Sequence, residues 1–329
     1  MKKDYLPILF LCMSFCFISV VDVFGLTYAV SPYAQYTSTT SSGRMTTDDA
    51  GNVYVAHYDD GKIVKINQEG QSSVLVSNLG PFYDITWGGG TAYGNYLYAT
   101  SPYINTPVGH KLYKINANTG SATSIPMEDP SNGPCAIGID RQGNYNNLLY
   151  IGTGSVDRVS YVTPTGAVST FSLWPGKLDG GGVYGLSFDP TGKYNNKMYL
   201  ATIFGNQNAN VSGLFAMNPD GTVSRFAADL VAALNVDFDP VGTYFDNDMF
   251  VLGKTSFFDA MSLWRVAADG SCQEFMTNVS AFAFGGDGAM YVSNYNWTTH
   301  EVTISRVVPE PATLLLLAAD GLVLCKRKA

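Results

Sequence analysis

The sequence predicts an all-β chain: a six-bladed β-propeller of four-stranded antiparallel blades, its ring closed by a strand near the N-terminus. Three observations predict it. A hairpin-like segment recurs six times, each copy carries the turn residues and alternation of short strands, and the last copy lacks a fourth strand that a stretch ahead of the first can supply. The copies align on one aromatic, Tyr54, Tyr98, Tyr150, Tyr199, Phe250 and Tyr291, at steps of 44, 52, 49, 51 and 41 residues. Such a period marks a supersecondary unit that cannot bury its apolar face alone and must stack on its neighbours.

Within a copy, an alternating apolar run, a turn rich in Asp, Pro and Gly, and a second alternating run form a β-hairpin. The clearest copies are GIDRQGNYNNLLYIG from Gly138 and LSFDPTGKYNNKMYLA from Leu186. A third run follows at 63–66, 112–115, 159–162, 214–217, 263–266 and 302–307. Tight turns then place Gly70, Gly120, Gly166, Gly221 and Gly270 where φ must be positive, ahead of a fourth short strand such as 73–76, 168–171 or 223–226. The sixth copy ends near Val307 without one. Tyr33-Ala34-Gln35-Tyr36 has the pattern of a fourth strand, and pairing it there removes the open edges of a linear array.

These repeats resemble the NHL and gluconolactonase-like six-bladed propellers, in which an Asp-x-x-Gly turn joins the first two strands of a blade. Here the turn runs from Asp48 to Gly51, Asp140 to Gly143, Asp189 to Gly192 and Asp239 to Gly242. We read it as turn chemistry repeated for structural reasons.

The two ends read differently from the middle. Lys2 and Lys3, an apolar stretch over 6–21 and the small or permissive residues Val23-Phe24-Gly25 form a signal peptide over 1–25, to be cut by signal peptidase after Gly25. The propeller is expected over 26–308 and a sorting tail over 309–329. That tail, VPEPATLLLLAADGLVLCKRKA, sets Pro309, Glu310 and Pro311 before an apolar run over 312–325 and the basic end Lys326, Arg327 and Lys328. At about 1.5 Å per residue the run reaches roughly 21 Å, short of a hydrocarbon core of about 30 Å, and Asp320 interrupts it. Transient membrane contact is expected, with the basic end on the cytoplasmic side. The tail resembles the PEP-CTERM signals of Gram-negative bacteria. That resemblance implies processing by an exosortase-type membrane protease and display in the cell envelope, on the outer surface or in the extracellular matrix.

Composition excludes several functions. The formal net charge is −8, and no basic patch is left to hold nucleic acid. Between the two ends only Cys135 and Cys272 remain, enough for one disulfide and no disulfide framework. There is no Ser-His-Asp elbow, phosphate-binding Gly loop or Cys-x-x-Cys pair.

Candidate site residues gather on the face that carries the loops between second and third strands and between blades, because the longest loops fall there. The three histidines, His57, His110 and His300, belong to neighbouring blades of the closed ring and could ligate zinc or another borderline divalent metal, although no cofactor is required by the pattern. Among the acids of that face are Asp84 and Asp157, and Asn235 starts toward the channel from an inner strand. The gluconolactonase resemblance implies a divalent metal held by carboxylates and amides at the channel mouth, for which Asp84 and Asn235 could serve. Residues 44–48, however, offer no Glu where that family places a ligand. Tyr103 and Trp297 lie among aromatics that could stack on sugar faces. The inner-strand starts carry mostly Met, Thr, Tyr, Cys and Phe. The expectation is therefore a binding or scaffold module for extracellular polysaccharide or a surface protein, with a metal-dependent lactonase or hydrolase as the alternative.

Overall fold

The structure, a computed structural model, describes residues 19–23, 26–58, 60–102, 111–127, 133–154, 158–173, 182–203, 212–256 and 259–309. Its described residues form β1 (Ser19–Val23) and β2 (Leu26–Thr37), then six sets of strands in chain order. Blade one is β3 (Ser42–Thr47), β4 (Val53–His57), β5 (Ile63–Ile66) and β6 (Ser72–Val76). Blade two is β7 (Asp84–Trp87), β8 (Tyr96–Ser101), β9 (Lys111–Asn116) and β10 (Ala122–Ile125). Blade three is β11 (Pro134–Ile139), β12 (Leu149–Thr153), β13 (Arg158–Val162) and β14 (Val168–Leu173). Blade four is β15 (Gly182–Phe188), β16 (Met198–Ile203), β17 (Gly213–Met217) and β18 (Val223–Ala227). Blade five is β19 (Ala232–Phe238), β20 (Met249–Lys254), β21 (Ser262–Val266) and β22 (Cys272–Thr277), and blade six contributes β23 (Ala281–Phe284), β24 (Met290–Asn296) and β25 (Glu301–Pro309). Every neighbouring pair is antiparallel and, apart from β2 beside β25, sequential, so the first strand of each blade lines the channel and the fourth faces outward.

The ring closes as the repeat pattern requires. β2 pairs with β25 from Tyr28 opposite Pro309 to Thr37 opposite Glu301, which makes it the outer strand of blade six. The closing strand is longer than 33–36. It starts at Leu26, and β1 adds a fifth strand outside it through Ser19 opposite Val30 to Val23 opposite Leu26. β1 lies inside the segment that reads as a signal peptide, and Pro309 of the tail motif is the last residue of β25.

The aromatic that marks the repeat sits on the second strand of each blade and is buried in all six. Blades press these rings against their neighbours. Tyr199, for example, meets Phe226 and Phe238 edge-on at 4.9 and 5.6 Å, a geometry in which such pairs add about 0.5–1.5 kcal/mol beyond burial.

The Asp-x-x-Gly turns explain themselves. In blade four the buried Asp189 accepts backbone N–H bonds from Thr191 and Gly192 at one oxygen (3.1 and 3.0 Å) and from Tyr194 and Asn196 at the other (2.8 and 2.9 Å). Asp140 and Asp239 repeat that set in blades three and five. One carboxylate thus satisfies four amides of a turn that has no ladder of its own. Gly192 sits at φ +86°, where an L side chain is strained.

The turns of blades two, three and four also tie each of those blades to the next. Tyr145 donates its hydroxyl to the Met217 carbonyl and accepts the Met198 N–H at 2.8 Å, wedging between β16 and β17. Tyr93 does this one blade earlier and Tyr194 one blade later.

Candidate functional site: the central channel

Two faces follow from the strand order. The turns joining first and second strands form one, here called the turn face, and the longer interblade loops form the other, the loop face. Of the residues singled out on the loop face, Tyr103, His110 and Asp157 lie outside the described residues, as do Glu310, Pro311, Lys326, Arg327 and Lys328 of the tail.

The two described histidines come close together. His57, fully buried at the end of β4, meets Ser38 Oγ at Nδ1 (3.1 Å) and Tyr36 OH at Nε2 (3.0 Å). Burial holds its pKa below the ordinary value, so the ring stays neutral. His300 meets Tyr295 OH at Nδ1 (2.8 Å), and that hydroxyl reaches the Ser38 carbonyl at 3.3 Å. Ring closure therefore links the two through Ser38 and Tyr295. Both nitrogens of His57 are spent on hydroxyls, which leaves no lone pair for a metal unless a bond breaks.

Trp297 stands at the tip of the β24–β25 hairpin, 74% exposed. Its ring meets Tyr295 edge-on at 4.8 Å. Because Tyr295 is itself pinned by His300 and Ser38, the indole rests on a fixed support.

Asp84 and Asn235 share one level of the channel with Arg44. Each lies opposite the residue two beyond the marker aromatic: Arg44 faces Ala56, Asp84 faces Thr100 and Asn235 faces Leu252. The Arg44 guanidinium crosses the channel to the carbonyls of Tyr184 (3.1 Å) and Leu234, tying blade one to blades four and five. Asp84 accepts the amide N–H groups of Ile85 and Ile137, both at 2.9 Å. Burial raises its pKa to about 7, against the pull of Arg44 and of those amides. Asn235 Oδ1 accepts the Val236 N–H at 3.0 Å. This level is a buried hub whose polar atoms are largely committed to backbone.

Among the described residues no group of three His, Cys, Asp or Glu stands close enough to hold a metal ion. Cys135, on β11, and Cys272, on β22, are free thiols, and burial pushes that of Cys135 up to about 12.

Below Arg44 the channel widens into a cavity of ≈ 420 Å³ that opens on the turn face. Its middle level consists of the residues opposite the marker aromatics. Thr46, Thr86, Ser187 and Asp237 are half-buried there, and Gly138 leaves room between them. Ser187 Oγ donates to Asp237 Oδ1 at 3.0 Å, and burial raises the Asp237 pKa to about 6. Arg141 closes part of the mouth, donating to the carbonyls of Gly89 (2.6 Å) and Trp87.

Sequence reasoning passed over Arg44, Asp237 and this mouth because it looked to the long loops. The signal was present: a charged residue inside an inner strand, as in SGRMTT and AALNVDF.

No protein-family model matches the chain, and no curated protein matches it. Solved structures do match. What these structures share with this chain is the propeller fold. A gluconolactonase of Xanthomonas campestris superposes with a TM-score of 0.63 at 10% identity, over 89% of this chain and 93% of its own. A PQQ-bound aldose sugar dehydrogenase of Streptomyces coelicolor gives 0.58 at 14%, over 86% and 98%. Virginiamycin B lyase of Staphylococcus aureus gives 0.52 at 10%, over 85% and 99%. At such identities the likeness is one of fold.

Proposed function

We propose that this chain is an exported propeller, freed from its leader by signal peptidase and sorted to the outer surface or extracellular matrix by an exosortase-type protease, that binds extracellular polysaccharide rather than transforming it. The observation that carries the binding reading is Trp297. A large aromatic 74% exposed and braced edge-on by a pinned tyrosine is a costly thing to leave in water, and it presents a flat face of the kind that stacks on a sugar ring. A surface protein with an apolar contact is the other partner class such a ring would accept.

Affinity electrophoresis of the full chain through gels containing envelope polysaccharide tests this. Retardation is expected and should fall at least fivefold in Trp297→Ala, with no change in melting temperature. Equal retardation of both proteins would remove the platform from the account. A second reading, a metal-dependent lactonase or hydrolase, draws on the fold shared with the gluconolactonase. Stoichiometric metal in the purified chain, together with lactone hydrolysis abolished by chelator, would replace the binding reading with that one.

A further inference from the structure

The turn-face cavity lies on the opposite side of the ring from Trp297, and its wall is built differently from the rest of the channel. At the level of the marker aromatics the six blades place Thr46, Thr86, Gly138, Ser187, Asp237 and Ala283. The levels on either side are apolar and belong to the interblade cores: Met45, Ile85 and Val236 above, Trp87, Phe188 and Phe238 below. A small polar belt thus interrupts an apolar tube.

The belt has hydrogen-bonding capacity to spare. The hydroxyls of Thr46 and Thr86 make no hydrogen bond among the described residues, although each could both donate and accept. Asp237 uses Oδ1 for Ser187 and for the Phe238 N–H (2.9 Å), and Oδ2 has no hydrogen-bond donor among the described residues. In the wall beside them the Trp87 indole Nε1 is buried without a partner. Buried polar groups are normally paired, so the Trp87 indole, together with three half-buried polar groups that have capacity to spare, the four coming from three inner strands around one cavity, marks a place for a partner.

Charge narrows the class of that partner. Four acids line the cavity: Asp48 spends both oxygens on its own turn, Asp84 lies beside Arg44 above, and Arg141 at the mouth offsets Asp49 and Asp237. A charged ligand would gain little, whereas a neutral molecule with several hydroxyls would give and receive at every belt position. A volume of ≈ 420 Å³ lies within the range of about 300–1,000 Å³ typical of small-molecule sites. Arg44 crossing the channel blocks passage to the loop face, so the cavity is a blind seat.

We propose that the turn-face cavity binds a neutral, polyhydroxylated ligand the size of a sugar residue, through Thr46, Thr86, Ser187 and Asp237. This seat goes beyond the Trp297 platform and does not depend on it. The test is saturation-transfer NMR on the full chain with a panel of glucose, galactose, mannose and sorbitol, with gluconate and ethanolamine as the charged arms. At least one neutral member is expected to bind, and the isosteric double variant T46V/T86V should weaken it at least tenfold without lowering the melting temperature. Asp237→Asn should also weaken it, and Trp297→Ala should leave it unchanged. Binding of gluconate or ethanolamine alone, no binding at all, or neutral binding that T46V/T86V leaves intact would each overturn the proposal. A loss confined to Trp297→Ala would likewise assign the binding to the other face.

Discussion

The joints between blades two and five and the seam at blade six hold the ring together by different means. In the former, each extended turn throws a tyrosine onto the next blade: Tyr93, Tyr145 and Tyr194 accept an amide N–H and donate to a carbonyl across the gap. At the next position the series breaks, because Phe245 carries no hydroxyl. Its ring instead stacks on Tyr28 of the closing strand, at 5.3 Å and 7°. The short turns of blades six and one reach across no gap in this way. Their contact uses Ser42 Oγ with Ser293 Oγ at 2.6 Å and Thr47 donating to the Phe284 carbonyl at 2.6 Å. Interior joints are therefore built from residues 53 to 72 apart, and the seam from residues more than 200 apart. Local joints can form as each blade folds, while the seam pays its loop-closure entropy once, with the whole ring already in place.

The largest effect should come from the seam. A chain lacking 26–37 leaves blade six with three strands and strips Tyr28 from Phe245. Loss of the cooperative melting transition and aggregation in size-exclusion chromatography are expected. A monomer that still melts cooperatively would mean the interior joints alone suffice.

Next come the turns. Asp189→Ala removes the acceptor of four backbone amides and should cost about 3 kcal/mol in urea unfolding. Asp48→Ala, in the short turn of blade one, should cost about half as much. Two of its four donors, the Asn52 amide group and the Tyr54 hydroxyl, are side chains rather than turn backbone, and the Asn52 amide can turn to water. Equal costs would erase the distinction between the two kinds of turn.

Tyr145→Phe leaves the buried Met198 N–H and Met217 C=O without their bridge and should cost about 2 kcal/mol. A cost near zero would show that ring packing, not the hydroxyl, does the joining.

The smallest effect concerns pH. Asp84 and Asp237 have folded pKa values raised to about 7 and about 6 from 3.8. Between about pH 4 and 7 these two acids therefore hold more protons in the folded chain than in the unfolded one, so their contribution to stability falls as pH rises through that window and levels above it. Asp237→Asn should flatten the part of the slope below about pH 6, an effect on the order of 1 kcal/mol. Both acids are on inner strands of blades two and five. An unchanged slope would move the pH dependence from the channel to the seam.

The fold was legible in detail. Six marker aromatics, the Asp-x-x-Gly turns and a missing fourth strand predicted blade number, strand order and closure, because each is a local pattern or a count. The site was legible only in fragments. Asp84 and Asn235 were picked out from their positions near inner-strand starts, yet their shared level with Arg44 depends on six strands in register. His57 read as a loop-face ligand from its place after a strand. Only the docking of 36–38 against β4 turns it into a buried ring with both nitrogens occupied.

By itself the sequence determined the repeat, the class of fold and the way its ends meet, since periodicity and turn chemistry act over a few residues. Tertiary structure alone decided that Arg44 seals the channel, that a polar belt lies beneath it, and that the cavity opens on the turn face. Each depends on side chains from several blades meeting around one axis, across separations that no local pattern records.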